Sequence, residues 1–251
     1  MPPAADESRH AFPPTRYSAI AALGAAAGEE RARARELLAA AYWKPVYTHL
    51  RLRWRRSPED AADLTQGFFL AALEKDFLAG YDPARSRFRS FLRLCLDRHV
   101  QRADEAAGRL KRGGGAEHLA LDFAAAEAAL PADPAASANP EVLFDREWLR
   151  ALMEQAVGAL RSHCEVAGRG LDFRLFARYE LAPAGEPRPS YRELAAAEGV
   201  SESTVTNRLA AARRDFRRLL LDHLRALTGS EAEYREEARE LLGLDPAPER
   251  P

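Results

Sequence analysis

The stretch SESTVTNRLAAARRDFRR, Ser201 to Arg218, gathers the side chains best suited to chemistry. On a helix, Ser203, Thr204, Thr206, Asn207 and Arg208 crowd the first two turns. These short donors and acceptors suit base edges and phosphates. Arg213, Arg214, Arg217 and Arg218 follow as a basic stripe suited to phosphates. This is recognition chemistry, not bond making. The sequence holds no phosphate-binding GxxxxGK loop, no HExxH and no Ser/His/Asp set. Its two cysteines, Cys95 and Cys164, form no CxxC and have no partners at metal-ligand spacing. His163 adjoins Cys164, so on a helix the two side chains point in different directions. The expectation is a non-enzyme with no catalytic residues, no cofactor and no metal.

The residues around this stretch must hold it in place. Ser190 with Glu193 has the form of a capping box. Tyr191, Leu194 and Ala195 begin an apolar face, and Gly199 offers the left-handed stop. Ser201 then caps a second helix whose buried stripe is Val205 and Leu209. Small residues at the crossing suit two helices meeting steeply, which leaves the start of the second helix protruding. This is a helix-turn-helix pattern. A plain helical hairpin with a solvated arginine face is the competing reading.

The rest of the chain reads as helices. Hydrophobic residues make up 47% of the 251, enough for real cores. A net charge of −1 gives no bulk signal for nucleic acid, although arginine clusters locally and lysine occurs only at 44, 75 and 111. Residues 1–14 are Pro- and Ala-rich and read as disordered. Glu29–Tyr42 forms one helix, and Pro45 opens the next, running to about Arg55. Ser57-Pro58-Glu59-Asp60 marks another start, with Leu64, Phe68 and Ala72 on one face. Phe88, Phe91, Leu92, Cys95, Leu96 and His99 have helical spacing. Residues 113–139 combine Gly113-Gly114-Gly115 with Pro131 and Pro134 and read as a linker, with a short helix near Asp122–Leu130. Leu143 to Leu160 and Phe173 to Leu181 form two further amphipathic series, and Ser230–Leu242 forms a tail helix. No strand-like alternation and no membrane-length apolar run occurs in the sequence, so the expectation is an all-α protein of the cytoplasm without a membrane partner. Its organisation is two helical domains, residues 15–112 and 140–228, joined by a flexible linker and followed by the 229–251 tail.

SPEDAADLTQGFFLAAL (Ser57–Leu73) followed by RFRSFLRLCLDRHVQR (Arg87–Arg102) resembles domain 2 of bacterial RNA polymerase sigma factors. The likeness is to the extracytoplasmic-function group, whose core helix commonly reads D-A-x-D-L-x-Q-x-x-F. Asp60, Asp63, Leu64, Gln66 and Phe69 match it. Ser190–Leu220 resembles sigma domain 4. Gly67 stands where the family often has glutamate, and a glycine inside a helix costs about 1 kcal/mol relative to alanine. Phe91 stands where many relatives have tryptophan, and Asp97–His99 departs from the common small-Arg-Asn sequence.

The resemblance implies a promoter-specific initiation factor that docks on core RNA polymerase and helps melt DNA. Asp60, Asp63, Leu64, Gln66, Phe69 and Leu70 would meet the clamp helices of the largest polymerase subunit. Arg93, Arg98, His99 and Arg102 would meet the minus-ten element, with Phe88 and Phe91 serving as stacking platforms or as core. Ser203, Thr204, Thr206, Asn207, Arg208, Arg213 and Arg214 would read the upstream element, beside the flap of the second-largest subunit. An inhibitory anti-sigma protein is a further implied partner. The linker would let the blocks pack together, so the free chain is expected to hide its DNA-binding surfaces. Two other readings use fewer features. One is a helix-turn-helix regulator whose N-terminal helices sense or oligomerise. The other is a helical scaffold for protein partners.

Overall fold

The computed structural model describes residues 19–20, 28–74, 80–107, 121–130, 139–183, 185–244 and 246. Among them lie α1 (Glu29–Leu52), α2 (Pro58–Glu74), α3 (Phe88–Ala107), α4 (Phe123–Ala128), α5 (Pro140–Val166), α6 (Gly170–Glu180), α7 (Tyr191–Glu198), α8 (Glu202–Ala226) and α9 (Glu231–Leu242), with no strand among the described residues. The class is all-α.

Local signals set most helix starts. Ser57 Oγ accepts the Asp60 N–H at 3.1 Å, and Asn139 Oδ1 accepts that of Glu141 at 3.1 Å, with Pro140 opening α5. Pro45 does not open a separate helix, contrary to what its sequence context predicts; it lies buried inside α1. A mid-helix proline removes one backbone bond. Burial compensates, because Ala41, Tyr42, Val46, Tyr47 and Leu50 around it are all at most 1% exposed.

The largest core is shared by residues on both sides of the 113–139 segment. Tyr42 of α1 stacks on Trp148 of α5 with centroids 6.2 Å apart, and the same cluster takes in Phe144, Leu152, Leu220, Leu224, Tyr234 and Ala238. Burying each large apolar side chain contributes about 1.5–3 kcal/mol. The far ends of α5 and α8 build a second core: Leu160 and Cys164 of α5 meet Leu209 and Ala212 of α8, with Phe176 between them. Two long helices thus run from one core into the other.

Part of the segment read as linker also docks. Asp122 caps α4 through the Ala125 N–H at 3.0 Å. Phe123 meets Trp43 and Tyr47 at 5.6 and 5.2 Å, and Glu127 accepts from Tyr47 at 2.6 Å and from Arg51 Nε at 2.8 Å. The glycine run and Pro131–Pro134 lie outside the described residues.

The tail helix α9 seats its acids on α3. Glu233, 6% exposed, accepts the Phe88 N–H at 2.7 Å, the Tyr81 hydroxyl at 2.8 Å and the Gly229 N–H at 2.7 Å. Arg89 reaches Glu237 at 2.8 Å and Asp145 at 3.3 Å while lying over the Trp148 ring at 5.4 Å. Arg87 pairs with Glu236 and Glu240 at 2.8 and 2.7 Å. A methyl group on Gly229 would meet Tyr81 Cε1 at 2.3 Å, so this approach needs glycine.

Candidate nucleic-acid interface

The α7–turn–α8 unit is built by its caps. Ser190 Oγ accepts the Glu193 N–H at 3.2 Å, and the Glu193 carboxylate accepts the Ser190 N–H at 2.7 Å. The Ser190 N–H and then the Ser190 hydroxyl, both donating to it, hold the Glu193 carboxyl below the usual range. Gly199 ends α7 at φ 66° and ψ 34°, a left-handed conformation that glycine adopts without strain. The Val200 N–H then turns back to the Ala195 carbonyl at 3.0 Å. Ser201 caps α8 by accepting the Thr204 N–H at 3.1 Å. Leu194, Ala195 and Val205 lock the crossing, with Leu175 of α6 beneath.

The start of α8 protrudes. Ser203, Thr206, Asn207 and Arg208 are exposed, and Thr204 is half-buried. The hydroxyls of Ser203 and Thr204 lie 2.9 and 2.8 Å from Ser201 Oγ, and Thr206 donates to the Glu202 carbonyl at 3.0 Å. Asn207 has no side-chain hydrogen bond among the described residues. Arg208 Nη1 lies 3.5 Å from Asp172 Oδ1.

The arginines of the stripe differ in their surroundings. Arg213 is a strut: it donates to Glu180 at 2.6 Å, approaches the Tyr191 hydroxyl at 3.4 Å and lies over the Tyr179 ring at 5.2 Å. Arg218 has acids along its own helix, Asp215 at 3.5 Å and Asp222 at 3.7 Å. Arg214 and Arg217 are exposed and make no ion pair among the described residues. The unit therefore presents a polar helix start next to two open cations.

No family model, no curated protein and no solved structure matches the chain.

A second basic surface lies on α3. Arg98 and Arg102 are exposed. Arg93 is drawn to Glu141 at 3.0 Å and is 17% exposed. His99 is half-buried, its ring edge-on to Phe68 at 5.7 Å, in the space beside Gly67. Asp97 accepts from His49 at 2.9 Å and Trp54 at 2.7 Å. Burial raises its carboxyl, but those two donors outweigh it and hold the group low. Phe88 is fully buried, and Phe91 is half-buried against Tyr81 at 5.4 Å. Phe88 therefore serves the core.

On α2, Asp60 and Asp63 are exposed, and Leu64, Gln66 and Leu70 are half-buried. Phe69 is 4% exposed and packs on Phe68 at 5.4 Å, so its ring turns to the core and away from any docking face. The outward face is acidic, with Leu70 on its flank.

Two clusters have no counterpart in the sequence reading. One is the α9 acid set on Arg87 and Arg89. The other is buried Asp172, whose only sequence signal is a lone carboxylate among Leu171, Phe173, Leu175 and Phe176. Among the described residues no set of His, Cys, Asp or Glu could hold a metal ion, and no helix is long and apolar enough to cross a membrane.

Proposed function

We propose that this chain is a promoter-specific transcription initiation factor of the sigma type. It binds core RNA polymerase and reads DNA at two places. The observation that carries this reading is the capped α7–turn–α8 unit, which projects Ser203, Thr206, Asn207 and Arg208 beside the open cations Arg214 and Arg217. Phosphate contacts would supply affinity and register, and the helix start would supply base selection. Arg98 and Arg102 on α3 offer the second DNA surface. The exposed acids Asp60 and Asp63 support polymerase docking through α2. Held on polymerase, the helix-turn-helix need not bind tightly alone, because tethering raises its effective concentration.

One observation favours a second reading. The N-terminal helices share their core with α5, α8 and α9. That fusion also suits a regulator whose N-terminal block reports directly to its DNA-binding unit. Size-exclusion chromatography of the purified chain with core bacterial polymerase, paired with a duplex gel shift, separates these. Co-elution with polymerase supports the initiation factor. A duplex shift without co-elution supports the regulator. Neither leaves the protein-binding scaffold.

A further inference from the structure

We infer that Asp172 is a positioning residue that pre-orients Arg208 as the base-reading arginine of α8. The inference rests on the DNA-reading function proposed above and names how one base contact is specified.

Asp172 sits in the first turn of α6 and is 1% exposed. A carboxylate so placed must be paired, because an isolated buried charge is strongly disfavoured. Its carboxylate has two cationic neighbours. Arg169 Nη1 lies 3.5 Å from Oδ2, and Arg208 Nη1 lies 3.5 Å from Oδ1. Arg169 is itself fixed, donating from Nη2 to Asp215 Oδ2 at 2.7 Å, with His163 Nε2 2.8 Å away. Asp215 lies seven residues beyond Arg208, on the same side of α8. The start of α6 thus grips the recognition helix at two points, Asp172 on Arg208 and the preceding Arg169 on Asp215.

This grip treats Arg208 unlike its neighbours. Its side chain is 48% exposed, so one side faces the buried carboxylate and the other faces outward beside Asn207. At 3.5 Å Nη1 donates a long hydrogen bond to the buried carboxylate, so Nε and Nη2 are left to face a base edge. A planar guanidinium matches the two acceptors of guanine in the major groove. An arginine partly neutralised by a buried acid contributes less to phosphate attraction than open Arg214 or Arg217. It contributes more to selection, because its orientation is set before DNA arrives. Immobilising a free, rotamer-rich side chain on binding weakens a contact roughly three- to tenfold. Asp172 removes that penalty at the base pair Arg208 meets.

The test uses the full chain and a pool of randomised duplex DNA at low salt, with the bound fraction sequenced. Wild type should enrich a motif. Asp172→Asn should lose roughly three- to tenfold preference at the base pairs where Arg208→Ala loses preference, and should add nothing further in the Arg208→Ala background. The salt dependence of Asp172→Asn binding should not fall below wild type, because no cation is removed. Nuclear magnetic resonance of the free wild-type chain gives a readout that needs no variant: the Arg208 guanidinium should be ordered while those of Arg214 and Arg217 are mobile. Asp172→Asn keeping the wild-type motif, or weakening all sequences alike, would overturn the inference and leave the DNA-reading function standing. Equal mobility of the three guanidiniums would also overturn it. If wild type enriches no motif, the inference falls together with the reading beneath it.

Discussion

Glu233 of α9 caps α3, accepting the N–H of Phe88 at 2.7 Å across 145 positions of sequence. The same carboxylate accepts from Tyr81 and Gly229, so one buried side chain organises the turn before α3, the start of α3 and the start of α9. The tail is part of the core. Burial, then the bond to Glu233, pushes the Tyr81 hydroxyl far above its ordinary range, so it stays protonated and donating.

Glu233→Ala should lower stability by roughly 2–4 kcal/mol, because it strands buried donors and removes a helix cap. Urea denaturation followed by circular dichroism checks this. Arg33→Ala is the contrast. It pairs with Glu29 at 2.6 Å and both side chains are largely exposed, so the change should cost under roughly 1 kcal/mol. Equal losses would contradict the assigned role of Glu233.

Gly229→Ala should destabilise by roughly 1–3 kcal/mol through overpacking against Tyr81. The Tyr81 ring cannot swing aside easily, since it packs on Phe88 at 5.1 Å and is held by Glu233. The double variant Gly229→Ala/Tyr81→Ala should therefore lose less than the sum of the single changes. Additive losses in the same denaturation assay would place the strain elsewhere.

Glu237 makes stability depend on pH. Burial raises its carboxyl from 4.5 to about 7, against the lowering pull of Arg89 and Arg87 and with the added push of Glu233 and Asp145. Between those values the folded chain keeps a proton that the unfolded chain has released. Stability from this group therefore falls as pH rises from 4.5 to about 7. Glu237→Gln lacks that titration, so across this window wild type should lose stability relative to the variant. Parallel curves for the two would contradict the assignment.

The two classes of arginine on α8 should separate in a salt titration of duplex binding. Arg214→Ala and Arg217→Ala should each reduce the slope of log K against log salt by about 1 and weaken all sequences alike. Arg208→Ala should relax sequence preference instead. Arg213→Ala should act mainly on folding, since Arg213 ties α8 to Glu180 of α6 and Tyr191 of α7.

The helix-turn-helix unit was legible because its instructions are local. Ser190, Glu193, Gly199 and Ser201 each act within four residues, and the structure uses each as a cap or a turn. Pro45 was misread for the opposite reason. Its local signal says helix start, but packing against α5, roughly 100 positions away, decides the outcome. The Arg89–Glu237 and Arg208–Asp172 pairs have no period to read, because only the fold brings them together. Phe69 matched a family pattern, yet a pattern does not say which of its members face inward.

The central claim is that the chain directs polymerase to promoters, and run-off transcription tests it most directly. Purified chain and core bacterial polymerase would be incubated with a promoter library, beside an Asp60→Arg/Asp63→Arg variant. Wild type should yield discrete transcripts absent with core polymerase alone. The charge-reversed variant should lose most of them while keeping its duplex binding. No transcripts above the core background, or full transcription by the charge-reversed variant, would contradict the account.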